Sequence, residues 1–302
     1  MFTQAQINEI NRFWGQEIFA KILCDVKIYS EKWQLSDMCF YENYSMNAIF
    51  FCKSEMYGDC VLKIGNGFQN KEFMSEHNML REYNGKRFVK VFESDVETDE
   101  SGKKVMLIER IIPGTTLQTK PLLENRLSVF SDLYTGLHIK PNNPELYQTY
   151  VGKMDCYAEI IGRQTEYKEL YSHAMKAKDI YKSVSAEYPE EMLLHGDFHF
   201  NNILLNGNGT YTIIDPQGLV GDPVFEISRY IMIEHYHYTN KEKSLKMQIE
   251  NVNKMIDYFT HRLLIPESTL RKCFYVEMVT MECLDASNGR CDINNVIFAD
   301  MI

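Results

Sequence analysis

Residues 193–215 constrain the fold of this chain more than any other stretch. Two apolar runs, Ile203-Leu204-Leu205 and Tyr211-Thr212-Ile213-Ile214, enclose Asn206-Gly207-Asn208-Gly209-Thr210, whose Asn-Gly steps predict a tight β-hairpin. With the turn centred on Asn208 and Gly209, position 203 opposes 214 and position 202 opposes 215. Directly opposed residues of an antiparallel pair share a face of the sheet. Asn202 and Asp215 are therefore expected to present an amide oxygen and a carboxylate to one point. Two such oxygens, with room left for water and phosphate, suit Mg²⁺ carrying a nucleotide. Asp197 lies in the loop leading into the hairpin, placed to accept a proton from an incoming hydroxyl.

Composition narrows the partners. Over 302 residues, 32 Lys+Arg stand against 42 Asp+Glu, a net charge of −10. A chain so acidic is not expected to bind nucleic acid, which calls for a clustered basic surface. No apolar run approaches the roughly 18–20 residues that span a bilayer, so no membrane segment is expected. The N-terminus lacks the basic start and apolar stretch of a signal peptide, which predicts a cytoplasmic protein. The eight cysteines form no Cys-x-x-Cys pair and read as reduced core thiols.

The order of patterns suggests two lobes. An amphipathic helix is predicted over 4–23, from Ile7, Ile10, Trp14, Ile18 and Ile22. Strand patterns follow from Trp33, with a hairpin joining 48–51 to 60–64, a helix over 71–84, and extended runs at 88–92 and 105–111. After Pro113-Gly114 the pattern turns helical, at 121–139, 154–163, 165–186 and again through the last eighty residues. The expected fold is α+β, with a β-rich N-lobe over 1–111, a mostly helical C-lobe over 112–302 and a cleft at the hinge near 109–114.

His195-Gly196-Asp197-x-His199-x-x-Asn202 with Ile214-Asp215 resembles the signature of the aminoglycoside phosphotransferase family, which has a protein-kinase-like fold. The spacing of Asp197 and Asn202 also matches the catalytic loop of protein kinases. The continuation Pro216-Gln217-Gly218-Leu219-Val220-Gly221-Asp222-Pro223 is similar to the branch of streptomycin 6-phosphotransferases and hydroxyurea-resistance kinases. The resemblance implies a small-molecule kinase that moves the γ-phosphoryl group of ATP or GTP, with Mg²⁺, to a hydroxyl of a cationic, streptomycin-like aminoglycoside and so confers resistance. It implies Asp197 as base and Asn202 and Asp215 as metal ligands. Lys63, on a predicted strand, would pair with the phosphates. Glu76 is the first choice for its carboxylate partner and Glu72 the second. In Met106-Leu107-Ile108-Glu109-Arg110-Ile111, which resembles the hinge, the backbones of Glu109 and Ile111 would hold the adenine edge. Where the family's phosphate-covering loop would lie, Tyr41-Glu42-Asn43-Tyr44-Ser45-Met46-Asn47 contains no glycine, and Ser45, Met46 and Asn47 are the candidate phosphate contacts.

Other readings compete. His195, Asp197 and His199 could hold zinc in a hydrolase, although three residues alternating along an extended segment also suit a hydrogen-bonded loop, with His195 bracing the backbone and His199 orienting Asp197. A non-catalytic nucleotide-binding module, or a kinase of another hydroxylated metabolite, is also open. Asp222-Pro223 reads as a helix N-cap with a structural role. His235 and His237 read as a helix face. Glu234, Glu277, Glu282 and Asp285 are either pocket residues for a cationic substrate or solvated helix charges.

Overall fold

A computed structural model describes residues 2–42, 47–67, 70–97, 102–238 and 244–302. The chain divides into two compact units, Met1–Thr115 with Leu204–Ile214, and Thr116–Ile203 with Asp215–Ile302.

The first unit begins with two helices where the sequence predicts one, α1 (Gln4–Phe13) and α2 (Gln16–Lys32), because the chain turns at Trp14-Gly15. Thr3 and Gln6 cap α1 reciprocally, each side chain bonding the other's backbone N–H. Then come β1 (Leu35–Phe40), β2 (Asn47–Ser54), β3 (Gly58–Gly65), α3 (Asn70–Tyr83), β4 (Val91–Val96), β5 (Lys104–Glu109) and β6 (Pro113–Thr116). The antiparallel sheet runs in the order β1-β2-β3-β5-β4. Phe50 opposes Leu62 and Leu62 opposes Leu107, so one face of three neighbouring strands is continuously apolar. Phe19, Ile22, Val26 and Tyr29 of α2 bury themselves in the same core. Each such side chain contributes about 1.5–3 kcal/mol of burial. Inside this frame Lys63 is fixed in register, opposite Ile49 on one side and Met106 on the other.

The second unit contains α4 (Leu123–Tyr134), β7 (Gln148–Thr149), α5 (Tyr150–Gly162), α6 (Lys168–Glu187) and β8 (Met192–Leu194). The hairpin of β9 (Ile203–Asn206) and β10 (Tyr211–Ile213) comes next in sequence but belongs mainly to the first unit, where Val89 N–H donates to the Ile213 carbonyl. The second unit resumes with β11 (Leu219–Gly221), α7 (Val224–Tyr238), α8 (Leu245–Leu263), α9 (Glu267–Ser287) and α10 (Ile293–Met301). Phe130, Phe198, Tyr230 and Phe259 form its aromatic centre, with ring centroids 4.1–6.2 Å apart. A small sheet in the order β7-β11-β8 pairs Leu219 with Leu194 and so fixes where His195 begins the next loop. These strands of two or three residues are too short for alternation to reveal in sequence.

The reading of the cysteines needs correction. Cys24, Cys39, Cys156 and Cys291 are exposed, so only Cys52, Cys60, Cys273 and Cys283 are core thiols; all eight are free. Burial pushes the Cys52 thiol up to about 12, which keeps it protonated and inert. Among the described residues no helix is long and apolar enough to cross a membrane.

Candidate functional site

In the first unit Lys63 and Glu76 meet. The Lys63 ammonium donates to both carboxylate oxygens, Nζ to Oε1 at 2.7 Å and to Oε2 at 2.6 Å. Their side chains are 5% and 6% exposed, so neither charge could stand there without the other. Glu72, the alternative partner, lies on the exposed side of α3's first turn. Glu109 ends β5 opposite Cys60, its N–H donating to the Lys90 carbonyl, and Ile111 follows two residues later, half-buried. Asn47 opens β2 opposite Gly65. Ser45 and Met46, the other candidate phosphate contacts, lie outside the described residues.

In the second unit a loop from His195 to Asn202 carries the proposed base. Gly196 has φ 80°, in the left-handed region, and a Cβ there would meet Leu219 at 3.0 Å, so both backbone and space demand glycine. The loop is braced from two sides. Gly196 N–H donates to Glu226 Oε1 at 2.7 Å, while the other Glu226 oxygen faces His138 Nε2 at 2.7 Å. The His195 carbonyl accepts N–H groups from Gln217 and Gly218 at 2.7 and 3.3 Å, tying the segment just after Asp215 to the loop. His195 Nδ1 accepts the Asp197 N–H at 3.2 Å, the bracing role its position suggests.

Asp197 is 30% exposed, and its two oxygens differ. Oδ2 faces His199 Nε2 at 3.3 Å; because His199 Nδ1 accepts the Asn201 N–H, the neutral ring carries its proton on Nε2 and turns it toward Asp197. Oδ1 lies 3.7 Å from Arg229 Nε and makes no hydrogen bond among the described residues. Burial works to raise the Asp197 pKa, but the His199 N–H and the Arg229 charge outweigh it and hold the carboxyl well below the usual range. Asn202 is buried in a short 3₁₀ turn over Phe200–Asn202, and its Nδ2 donates to the Asp197 carbonyl at 3.0 Å.

The expected opposition of Asn202 and Asp215 across the hairpin does not occur. Asn206 N–H donates to the Thr210 carbonyl and Gly209 N–H to the Asn206 carbonyl, which makes a three-residue turn with Gly209 at φ 83°. The Asn206 side chain selects this turn by accepting the N–H groups of Asn208 and Thr210. Register moves by one residue, and the strands end at Ile203 and Ile213. Asp215 lies beyond the strand, exposed, in the left-handed conformation at φ 56° that Asp tolerates better than most residues. The 3₁₀ turn and the left-handed residue, rather than strand pairing, place the two side chains.

Sequence reasoning missed Arg229, on α7. Its side chain is 8% exposed and stands 2.8 Å from Glu277 Oε1 on α9, while the Tyr150 hydroxyl donates to Glu277 Oε2. Burial disfavours the Arg229 charge, yet Glu277 and Asp197 outweigh this and hold the guanidinium protonated. The helical spacing of α7 hides Arg229 in sequence, where it reads as one more polar residue in an amphipathic helix.

The acidic candidates for substrate contact have internal partners instead. Glu234 forms a two-bonded pair with Arg126, and Glu282 accepts N–H groups from Asp292 and Asn295. Asp285 faces Arg290 at 3.2 Å on the surface. Asp222 is structural, as expected, but it does not cap α7 with its carboxylate, which accepts from Ser185 and from the N–H groups of Glu190 and Glu191. His235 stacks on Phe298 and His237 meets Gln118, as parts of a helix face.

The sequence over residues 56–281 matches the family described as aminoglycoside/hydroxyurea antibiotic resistance kinase. The chain belongs to that kinase family. A streptomycin 6-kinase of Streptomyces griseus is 25% identical over 154 residues, which are 49% of this chain and 47% of that protein. The chain thus spans about half the length of that curated relative. The fold is protein-kinase-like. A choline kinase from Streptococcus pneumoniae superposes with TM-score 0.61 over 94% of this chain and 98% of its own, at 11% identity. An aminoglycoside phosphotransferase from Streptomyces rimosus does so with TM-score 0.61 over 86% and 98%, at 13% identity.

Proposed function

We propose that the protein transfers the γ-phosphoryl group of ATP or GTP to a hydroxyl of an aminoglycoside-type, streptomycin-like acceptor, inactivating the drug in the cytoplasm. The observation that carries this reading is the state of Asp197: ionised, anchored through its own carbonyl by Asn202, and with Oδ1 left without a hydrogen bond. Such a carboxylate orients an incoming hydroxyl and takes its proton late, as phosphoryl transfer through a loose transition state requires. A base of low pKa suffices, because positioning and charge neutralisation supply most of the rate.

The donor set fits magnesium. Asn202 has spent Nδ2 on the Asp197 carbonyl, so the oxygen is the part of its amide left for a ligand, and Asp215 offers an exposed carboxylate; both are hard oxygen donors. Magnesium, when bound, neutralises phosphate charge. Lys63, held by Glu76, would pair with the nucleotide phosphates, and the backbones of Glu109 and Ile111 would meet the adenine edge.

The test is release of nucleoside diphosphate, with ATP and with GTP, over a panel of aminoglycosides and other hydroxylated metabolites, with the product checked by mass. Acceptor-dependent release with a gain of one phosphate supports the reading. Nucleotide binding without transfer to any acceptor would reduce the protein to a binding module.

A further inference from the structure

Arg229 is a buried guanidinium with unspent donors beside the proposed base. An arginine side chain carries five N–H donors. Its Nε stands 2.8 Å from Glu277 Oε1, an ion pair whose angle falls short of a well-directed hydrogen bond. Charge is balanced, since Glu277 lies on one side and Asp197 on the other. Directional bonding is not. A buried Nε–H without a well-directed acceptor is costly.

The neighbouring acceptor atom is Asp197 Oδ1, which is also without a hydrogen bond and, at 3.7 Å from Nε, too far to satisfy it. His199 faces the other oxygen, so Oδ1 is where a hydroxyl would donate. A hydroxyl bound there would lie within reach of the Arg229 guanidinium, whose Nε is 3.7 Å from the same oxygen. A guanidinium recognises oxygen acceptors and repels a cationic nitrogen. Glu277 holds the guanidinium at 2.8 Å, and Tyr150 holds Glu277.

We infer that Arg229 binds a second oxygen on the acceptor, adjacent to the hydroxyl that Asp197 engages, so that the site selects vicinal diols over isolated alcohols. This rests on the phosphotransfer reading above and specifies its substrate class. The chain shares its fold with a choline kinase as well as with an aminoglycoside phosphotransferase, and the two acceptor types differ in this feature: choline carries a single hydroxyl, whereas aminoglycoside rings and cyclitols carry neighbouring oxygens.

The experiment measures kcat and KM for streptomycin, inositol and choline as phosphoryl acceptors, with wild type, Arg229→Gln and Arg229→Lys, after thermal melts have compared the folding of all three proteins. The wild type is expected to favour a diol over choline by at least about tenfold in kcat/KM, the scale of one lost hydrogen bond to a charged group. Arg229→Gln should erase that preference, mainly through the KM of the diol, while the KM of the nucleotide stays. Arg229→Lys keeps the charge against Glu277 and should recover part of the preference. A wild type that phosphorylates choline as well as the diols overturns the inference and leaves phosphotransfer standing. So does an Arg229→Gln variant, folded, that slows every acceptor by the same factor. If the wild type transfers to none of the three, the inference falls, and the phosphotransfer reading falls with it when the wider panel also gives no transfer.

Discussion

Lys63–Glu76 and Asp197–Arg229 are both contacts between opposite charges, and they are built in opposite ways. The first is closed. Two short hydrogen bonds join the partners, both nearly excluded from solvent, within one unit and thirteen residues apart. The second is open, with the charges 3.7 Å apart, the carboxylate partly exposed and one of its oxygens unbonded. A closed pair fixes the position of a lysine, whereas an open pair keeps a base charged and still accessible. The comparison teaches that pairs of opposite charge differ in how much hydrogen-bonding capacity they leave unspent, and the group proposed to react belongs to the open one.

The sharpest break comes from Asp197→Asn. Acceptor-dependent turnover should fall on the order of 10²–10⁴-fold, while nucleotide affinity, measured by titration, stays near that of the wild type. Retained turnover would remove Asp197 as the base. The closed pair predicts a different signature. Glu76→Ala strands the Lys63 charge in the sheet and should cost about 3–5 kcal/mol of stability in denaturant unfolding, with weaker nucleotide binding besides. A near-neutral result would show that other contacts hold Lys63.

A buried group that does not keep its charge sharpens the contrast. His235, stacked on Phe298, has its pKa driven by burial down to about 4. The unfolded chain takes up a proton near pH 6.5 that the native imidazole refuses until about pH 4, so stability falls as pH drops through that window. The loss should approach about 3 kcal/mol, and His235→Phe should flatten the slope in unfolding experiments between pH 7 and 4. The smallest effect tests the choice of partner for Lys63: Glu72→Ala, on the exposed turn of α3, should change stability by no more than about 0.5 kcal/mol and leave nucleotide affinity unaltered.

The elements that carry the candidate residues were legible from local order, and the roles of those residues come from the family resemblance. Lys63 on its strand, Glu76 on the next helix and the run from His195 to Asn202 are set by periodicity and short spacing, and the structure keeps each on the element expected. The turn 206–210 was legible as a turn, but not its length. A symmetric Asn-Gly hairpin and a three-residue turn differ only in which carbonyl Asn206 shares, and that choice moves every later residue by one register step.

What the sequence determined by itself is the inventory: an α+β chain, and a run from His195 to Asn202 whose likeness to a kinase family nominates a loop, a lysine and acids, because each element is encoded within a turn or two of chain. Only the tertiary structure decided how those groups are spent. Tyr150, Asp197, Arg229 and Glu277 lie on four different segments, and packing alone brings them together. The same packing consumed Glu234, Glu277 and Glu282 in internal contacts. Whether a charge is paired, and whether an oxygen is left over, depends on distances between residues far apart in sequence, which local spacing does not encode.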